Sequence, residues 1–374
     1  MNEAAPATHP YPLFANRQKP VSSMPQSASR TDRPPSPLDF TTVATPKPGE
    51  APELAPGLRW GRLPLPFALN HVNVWLLDDA PGWTAVDAGV ESPEMRAAWD
   101  TMLGGPLGGA GLNRLVATHG HTDHIGLAGH LVETHDIPFA STLVEWLWAR
   151  LRHADAREPP KAHVARYMAR NGCDEAMVKR FASDRSSFAP ALGPPPRQIE
   201  RLVDGTEITM GGRRWRTITA GGHTEEHASF YSEADRILIA GDQVLSHITP
   251  VIGVFPGEPD ADPLADYLAS LDRFAALPED TFVLPSHGLP FHGLHLRLKA
   301  LRDHHVQRLD RLLQALERPM TAYEAAAALF PRAIGEGHAF LAIAETLAHL
   351  HRLRGDGAVQ VETDGRGVRL FSRG

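Results

Sequence analysis

The chain has one cysteine in 374 residues, Cys173 in NGCDEAM, which excludes an internal disulfide and any cysteine-based zinc site. It has no run of about 18 apolar residues, so no membrane span is expected. It lacks an excess of positive charge. Lys and Arg number 37 against 44 Asp and Glu, a net charge of −7, which disfavours a general nucleic-acid or anionic-membrane binder. The opening MNEAAPATHPYPLFANRQKP lacks the basic start and apolar stretch of a secretory signal, so a cytoplasmic location is the default expectation. What remains is an ordinary globular composition, 42% hydrophobic and 22% charged, over a length that suits one large domain plus an appendage.

Residues 1 to about 56 are rich in Pro, Ser and Thr (PVSSMPQSASRTDRPPSPLDF) and carry no apolar period. Such a segment cannot bury enough surface to offset its ordering entropy and is expected to be a disordered tail. From Leu58 the texture changes. LPLPFALNHVNVWLLDD and WTAVDAG are β-prone runs separated by DDAPG, a hairpin pattern. SPEMRAAWDTMLG predicts a helix capped by Ser92, LNRLVATHG a strand, HTDHIGLAGHLVETH a helix and IPFAST a strand. This alternation predicts an α/β layered fold. A helical insertion over about 141–195 closes at LGPPP, and strands resume in IERLVDG, TEITMGG, RRWRTITA, HASFYSE, RILIAGD and TFVLPSH. From about Leu296 to Gly374, three helical runs followed by AVQVE and GVRLFS give a winged-helix pattern.

The chemistry is concentrated in THGHTDH. Zinc takes imidazole nitrogen and carboxylate oxygen, and a catalytic ion keeps a position open for water. His119 and His121 flank Gly120, which eases a kink that points both rings to one side. Asp123 and His124 start the helix that follows. Four donors exceed what one tetrahedral ion can use while still admitting water, which suggests two metals. His223 in AGGHTEEH, Asp242 after RILIAG and His287 in TFVLPSHG each follow an apolar run and sit next to glycine. Strand ends of this kind are where α/β layers place their sites.

THGHTDH, GGHTEEH, AGDQ and LPSHG in that order, with VDAG at Val86–Gly89 upstream, resemble the metallo-β-lactamase superfamily over roughly residues 57–295. The resemblance implies an αββα sandwich with a binuclear metal site at one edge. It implies that His119, His121 and His223 hold a first ion, that Asp123, His124 and His287 hold a second, and that Asp242 bridges them. The implied cofactor is two zinc ions, with iron or manganese compatible with the same donors. A zinc ion lowers the pKa of water from about 15.7 to about 7, so hydrolysis by a bridging hydroxide is the implied chemistry, with Asp123 orienting it. His227 is a candidate support for a ligand. Asp87, His71, His130, His247, His292, His295 and Cys173 read as structural. Glu225 and Glu226 stand where Pro-Gly is common in the family.

Asp242 discriminates among activities. Familiar zinc β-lactamases lack a bridging carboxylate, whereas glyoxalase II, lactonases and phosphodiesterases have one, so lactamase activity is disfavoured. Residues 57–295 hold 20 Lys and Arg against 30 Asp and Glu, a net of −10, which an RNA backbone would meet unfavourably. Residues 296–374 hold 12 basic and 9 acidic residues, and IAETLAHLHRL shows a Leu/Ala stripe in place of an arginine face. That module therefore reads as a packing or dimerisation element, and a homodimer is one assembly it allows. Trp146, Trp148 and Tyr167 are expected either to wall the site or to form the core of the insertion. The substrate expected is a small thioester or activated acyl ester. A phosphodiesterase or endoribonuclease is the main alternative, and a lactonase or mononuclear iron dioxygenase a lesser one.

Overall fold

The computed structural model describes residues 38–66, 69–155, 162–183, 191–335 and 338–374. The expected disorder of residues 1–37 lies outside these. Residues 38–56, expected to belong to the same tail, instead contribute β1 (Asp39–Phe40) and β2 (Glu53–Ala55). Short edge pairings hold them: Phe40 lies opposite Phe291, and Glu53 opposite Arg59.

The first half builds β3 (Leu58–Pro64), β4 (His71–Asp79), β5 (Gly82–Val86), β6 (Leu112–Val116), β7 (Phe139–Ser141) and β8 (Glu200–Arg201). With β2 they form one sheet in chain order, antiparallel up to β5 and parallel from β5 to β8. The second half builds β9 (Glu207–Met210), β10 (Arg213–Ala220), β11 (His227–Ser232), β12 (Ile237–Gly241), β13 (Phe282–Pro285) and β14 (Phe291–His292). With β1 these form a second sheet in the order β1-β14-β13-β12-β11-β10-β9, in which β12 and β13 run parallel.

Side-chain alternation with period two sets the layers. On β4, Trp75 and Leu77 join Trp60 of β3 and Trp215, Phe230 and Ile239 of the second sheet in a core between the sheets. Val72, Val74 and Leu76 turn the other way, against α1 (Pro93–Gly104), α3 (Ala128–His135) and α4 (Leu143–Asp155). On β12, Ile237 and Ile239 face the first sheet while Leu238 and Ala240 face α7 (Pro263–Ala275). The result is helices, sheet, sheet, helices. Between the expected strands RILIAGD and TFVLPSH lies a helix, α7, that Asp262 caps and Pro263 opens, a start signal present in DADPLADYL.

Two hydrogen bonds of the backbone join the sheets near one edge, Ala228 N to Thr118 O at 2.7 Å and Asn73 N to Ser286 O at 2.7 Å. The Asn73 side chain completes this joint. Its Nδ2 donates to the carbonyls of Pro285 and Gly288, and its Oδ1 accepts from Trp60 Nε1. Asn73→Ala removes the partner of the buried Trp60 indole N–H and of the Pro285 carbonyl, and of the part-buried Gly288 carbonyl, and is expected to cost about 3 kcal/mol of stability. Urea denaturation checks this, and a loss under about 0.5 kcal/mol would contradict it.

The expected single helix from His121 to His135 is two, α2 (Thr122–Ile125) and α3. Leu127 N donates to Gly89 O in place of the carbonyl four residues back, and Gly193 N takes the Gly126 carbonyl. The LGPPP segment packs so closely here that a Cβ on Gly129 would lie 1.8 Å from Pro194 O. The insertion holds α4, α5 (Ala162–Arg170) and α6 (Glu175–Ser183).

The last part comprises α8 (Leu294–Ala315), α9 (Ala322–Leu329), α10 (Pro331–Gly335), α11 (Ala339–Gly355) and the hairpin β15 (Val359–Thr363) with β16 (Arg369–Arg373). Thr321 and Glu324 form a reciprocal capping box at α9. Ile343, Leu347 and Leu350 of α11 join Leu271 and Phe274 of α7 in one apolar core that continues onto the outer face of the second sheet. The Leu/Ala stripe of α11 is thus spent on packing. Within this core, His349 donates Nδ1–H to Glu345 O, leaving Nε2 to accept from His305 Nδ1 at 3.2 Å.

Burial first, then neighbouring positive charge, pushes His349 down from 6.5 to about 3 and His305 to about 2. Folded-state values below the unfolded one mean that the unfolded chain binds more protons below pH 6.5. Stability from these neutral rings is therefore full above that pH and is lost as pH falls towards 3. From pH 7 to 5 each contributes a loss of about 2 kcal/mol. His349→Leu is expected to shrink the pH 7-to-5 stability difference by about that amount. An unchanged difference in denaturation midpoints would contradict it.

Candidate metal centre

Every one of the seven predicted ligands lies just past the C-terminal end of a strand, on one edge of the sandwich. His119, His121, Asp123 and His124 follow β6 of the first sheet. His223 follows β10, Asp242 follows β12 and His287 follows β13, all in the second. Their donor atoms gather into three overlapping triads: His119–His121–His223, His119–His124–Asp242 and Asp123–His124–His287, each within 4.8 Å. Asp242 sits between the two nests. Its Oδ2 is 3.3 Å from His223 Nε2, while its Oδ1 is 3.3 Å from His287 Nε2 and 3.6 Å from His124 Nε2. Asp123 Oδ2 lies 3.4 Å from His287 Nε2.

The donor set fits divalent cations. His124 Nε2, His223 Nε2, His287 Nε2 and Asp242 Oδ1 are buried without a hydrogen-bond partner among the described residues, and all turn inward. Orphaned buried polar atoms are costly unless something else binds them, and four converging ones mark a cation site. Each of these imidazoles has its other nitrogen tied down, which fixes the tautomer and aims the free one. His124 Nδ1 is held by Asp87 Oδ2 at 2.8 Å, His223 Nδ1 by Val251 O at 2.9 Å and His287 Nδ1 by His71 O at 2.7 Å. Asp87 also accepts from Thr118 N and Oγ1, so one carboxylate anchors both the histidine loop and a ligand.

The electrostatics separate the nests. Burial holds His119 and His121 well below the usual imidazole range, as neutral donors. Burial opposes charge on His124 too, but Asp123, Asp242 and Asp87 hold it well above that range. His287 is likewise pushed up to about 10, against burial, by Asp242 and Asp123. Burial would raise Asp242, yet His287 and His124 hold its carboxyl well below the carboxylate range. Positive charge is therefore favoured at the centre, the condition a divalent cation meets.

A model described as the Metallo-beta-lactamase superfamily matches residues 68–287, more than half of the chain. The chain belongs to that superfamily. A second model, for a metallo-beta-lactamase-like C-terminal domain, matches residues 309–374. A crystal structure of a beta-lactamase domain protein from Burkholderia ambifaria superposes with a TM-score of 0.79 at 38% identity, covering 90% of this chain and 98% of that one. A probable metallo-hydrolase of Bacillus subtilis (strain 168), YqjP, is 26% identical over 82% of this chain and 95% of its own length. A hydroxyacylglutathione hydrolase of Idiomarina loihiensis is 31% identical over 30% of this chain and 43% of its own length. The superfamily and the histidine–aspartate cluster together establish a metallo-hydrolase.

Several residues differ in role from the expectation. Gly120 is needed less for a kink than for room: a Cβ there would lie 2.7 Å from the Glu145 carbonyl. Glu145 of α4 is the main residue that the sequence motifs do not reveal. It is buried, and its Oε2 accepts from Gly120 N at 2.8 Å while Oε1 accepts from Glu226 N at 2.9 Å. One carboxylate thus clamps the loops of His121 and His223 together. Glu226 caps α4 through Val144 N.

His227 supports Asp242 through its backbone, accepting from Asp242 N at 3.1 Å. Gly241, with φ +57, makes room for that ring, since a Cβ would lie 2.3 Å from His227 Nε2. His71 belongs to the support of His287 by its carbonyl and, through Nε2, of Gly288 N. His292 and His295 bond the carbonyls of Asp280 and Leu277 and stay structural. His247 packs on Phe40, and His130 on α3 is not among the clustered donors. Trp146 packs into the outer core with Nε1 on Pro196 O, and Tyr167 is buried with its hydroxyl on Val254 O, so neither walls the metals. Burial pushes the Cys173 thiol up to about 12, which leaves it unreactive.

Proposed function

We propose that the protein is a dinuclear zinc hydrolase of thioesters or other activated acyl esters. The observation that carries this is Asp242, whose two oxygens face the two histidine nests separately, as a bridge between two ions requires. His119, His121 and His223 would hold one ion, and Asp123, His124 and His287 the other. When bound, such a pair supplies a hydroxide at neutral pH and polarises a carbonyl. The chain's own residues supply the rest. His119, His124, Asp242 and His287 form the buried floor, and His121 and Asp123, slightly more exposed, are its rim, where substrate enters. Asp123 keeps one carboxylate oxygen free of the His287 contact and is placed to orient the attacking hydroxide.

The name of the Idiomarina relative, a hydrolase of an acylated glutathione, supports a thioester. The net of −10 over residues 57–295 argues against a polyanionic backbone. The C-terminal helices and hairpin, read as a winged-helix-like module, serve packing. A panel of acyl-CoA, acyl-glutathione, lactone, bis(p-nitrophenyl) phosphate and RNA substrates tests the reading. Thioester turnover is expected to exceed phosphodiester turnover by at least about a hundredfold, the scale of one lost transition-state contact. Turnover of phosphodiesters alone would replace this reading with a phosphodiesterase.

A further inference from the structure

Trp148 and Arg152 of α4 have no part in the cluster described above. Arg152 follows Glu145 by seven residues, about 20° short of two full helical turns, so the two share a face, with buried Ala149 between them. That face is the one Glu145 presses against the peptide joining His119 to His121. Helical side chains lean towards the helix N-terminus. Arg152 does so: its guanidinium carbon lies 4.9 Å from the centre of the Trp148 ring, one turn back towards Glu145.

Arg152 is half-buried, and among the described residues it has no carboxylate at ion-pair distance. Its charge is nonetheless felt at His121, Asp123 and Glu145, the first two being the rim of the metal nest. Glu145 does not need it as a counter-ion, because Gly120 N and Glu226 N already satisfy that carboxylate. Arg152 thus combines partial burial, a stacked aromatic ring and the lack of a carboxylate at ion-pair distance, within a region, residues 57–295, that carries net −10. A guanidinium held in this way presents a planar fork suited to an oxyanion.

We propose that Arg152 is a specificity-determining residue of this pocket, binding an anionic group, carboxylate or phosphate, that the substrate carries a few bonds from its scissile carbonyl. The inference rests on the hydrolase reading above and narrows its substrates to acidic ones. Trp148 is the platform that holds the fork in place.

Two matched pairs of thioesters test it on the metal-loaded full chain. Succinyl and butanoyl thioesters of N-acetylcysteamine place the charge on the acyl side. Acetyl thioesters of 3-mercaptopropionate and of propanethiol place it on the thiol side. For at least one pair, Arg152→Gln is expected to lower kcat/KM for the charged member at least tenfold more than for its neutral partner, with Arg152→Lys between. Bound metal is measured alongside. Equal losses on both members, or no loss on either, would overturn the proposal. Dissociation constants for the same compounds, read by calorimetry, keep the two claims apart. If wild type turns over none of the thioesters, the hydrolase reading fails, while a Kd ratio that collapses in Arg152→Gln still upholds anion recognition and an unchanged ratio still refutes it.

Discussion

Asp242→Ala is expected to lower hydrolysis by more than about a hundredfold and to reduce bound metal from about two ions per chain towards one or none. The magnitude follows from the loss of an ion that would stabilise transition-state charge. The direction follows from geometry. Asp242 is the residue whose two oxygens meet the His223 nest and the His124–His287 nest at 3.3–3.6 Å. Removing it also leaves His124 and His287 facing each other with less compensating negative charge, so even without metal the centre becomes less able to hold a cation. Asp242→Asn keeps the shape and one oxygen, and is expected to retain more metal than alanine while remaining strongly impaired. Metal analysis together with steady-state kinetics reads both. Unchanged metal content in Asp242→Ala would remove Asp242 from the bridging role.

Asp87→Ala is expected to damage the site from outside the ligand set. The Asp87 carboxylate receives Thr118 N, Thr118 Oγ1 and His124 Nδ1, all buried, and its backbone sits at φ +68 in the left-handed region. Its loss strands three donors, at about 1–3 kcal/mol for each buried unpaired group before relaxation. It also frees the His124 ring to turn, and loss of such a support typically costs 10–100-fold in metal affinity. The expected result is therefore a fall of several kcal/mol in stability together with weaker binding of the second ion. Chemical denaturation and competitive chelator titration separate the two effects. His130→Ala is the control: it lies on α3 outside the donor triads, so metal affinity should stay within about threefold.

Much of this was legible in the residues, for a physical reason. Candidate donors at strand ends carry a local signature: His119, His121, Asp123 and His124 form one dense run after β6, and His223, Asp242 and His287 each follow an apolar run beside a glycine, while their assignment as one ligand set came with the family resemblance. The strands of the two sheets were legible through their apolar runs, since both sheets are covered on both faces. What the residues did not reveal was long-range. Glu145 looks like one more acidic residue on an amphipathic helix, and only the packing of α4 brings it to Gly120, 25 positions earlier. Asn73 shows no motif and meets Pro285 across 212 positions. The break between α2 and α3 depends on LGPPP arriving from more than sixty residues away, at a pair of glycines that sequence alone permits in one continuous helix. The strands at residues 39–40 and 53–55 are too short to show a period, and their pairing is supplied by β14 and β3.

The most direct measurement of the central claim is elemental analysis of the purified full-length chain beside the same measurement on Asp242→Ala, with thioester hydrolysis assayed on each sample. About two divalent ions per chain and hydrolysis in the wild type, with both lost together in the variant, is the predicted result. Less than one ion per chain with no hydrolysis of any ester, or full metal occupancy that survives the loss of Asp242, would contradict it.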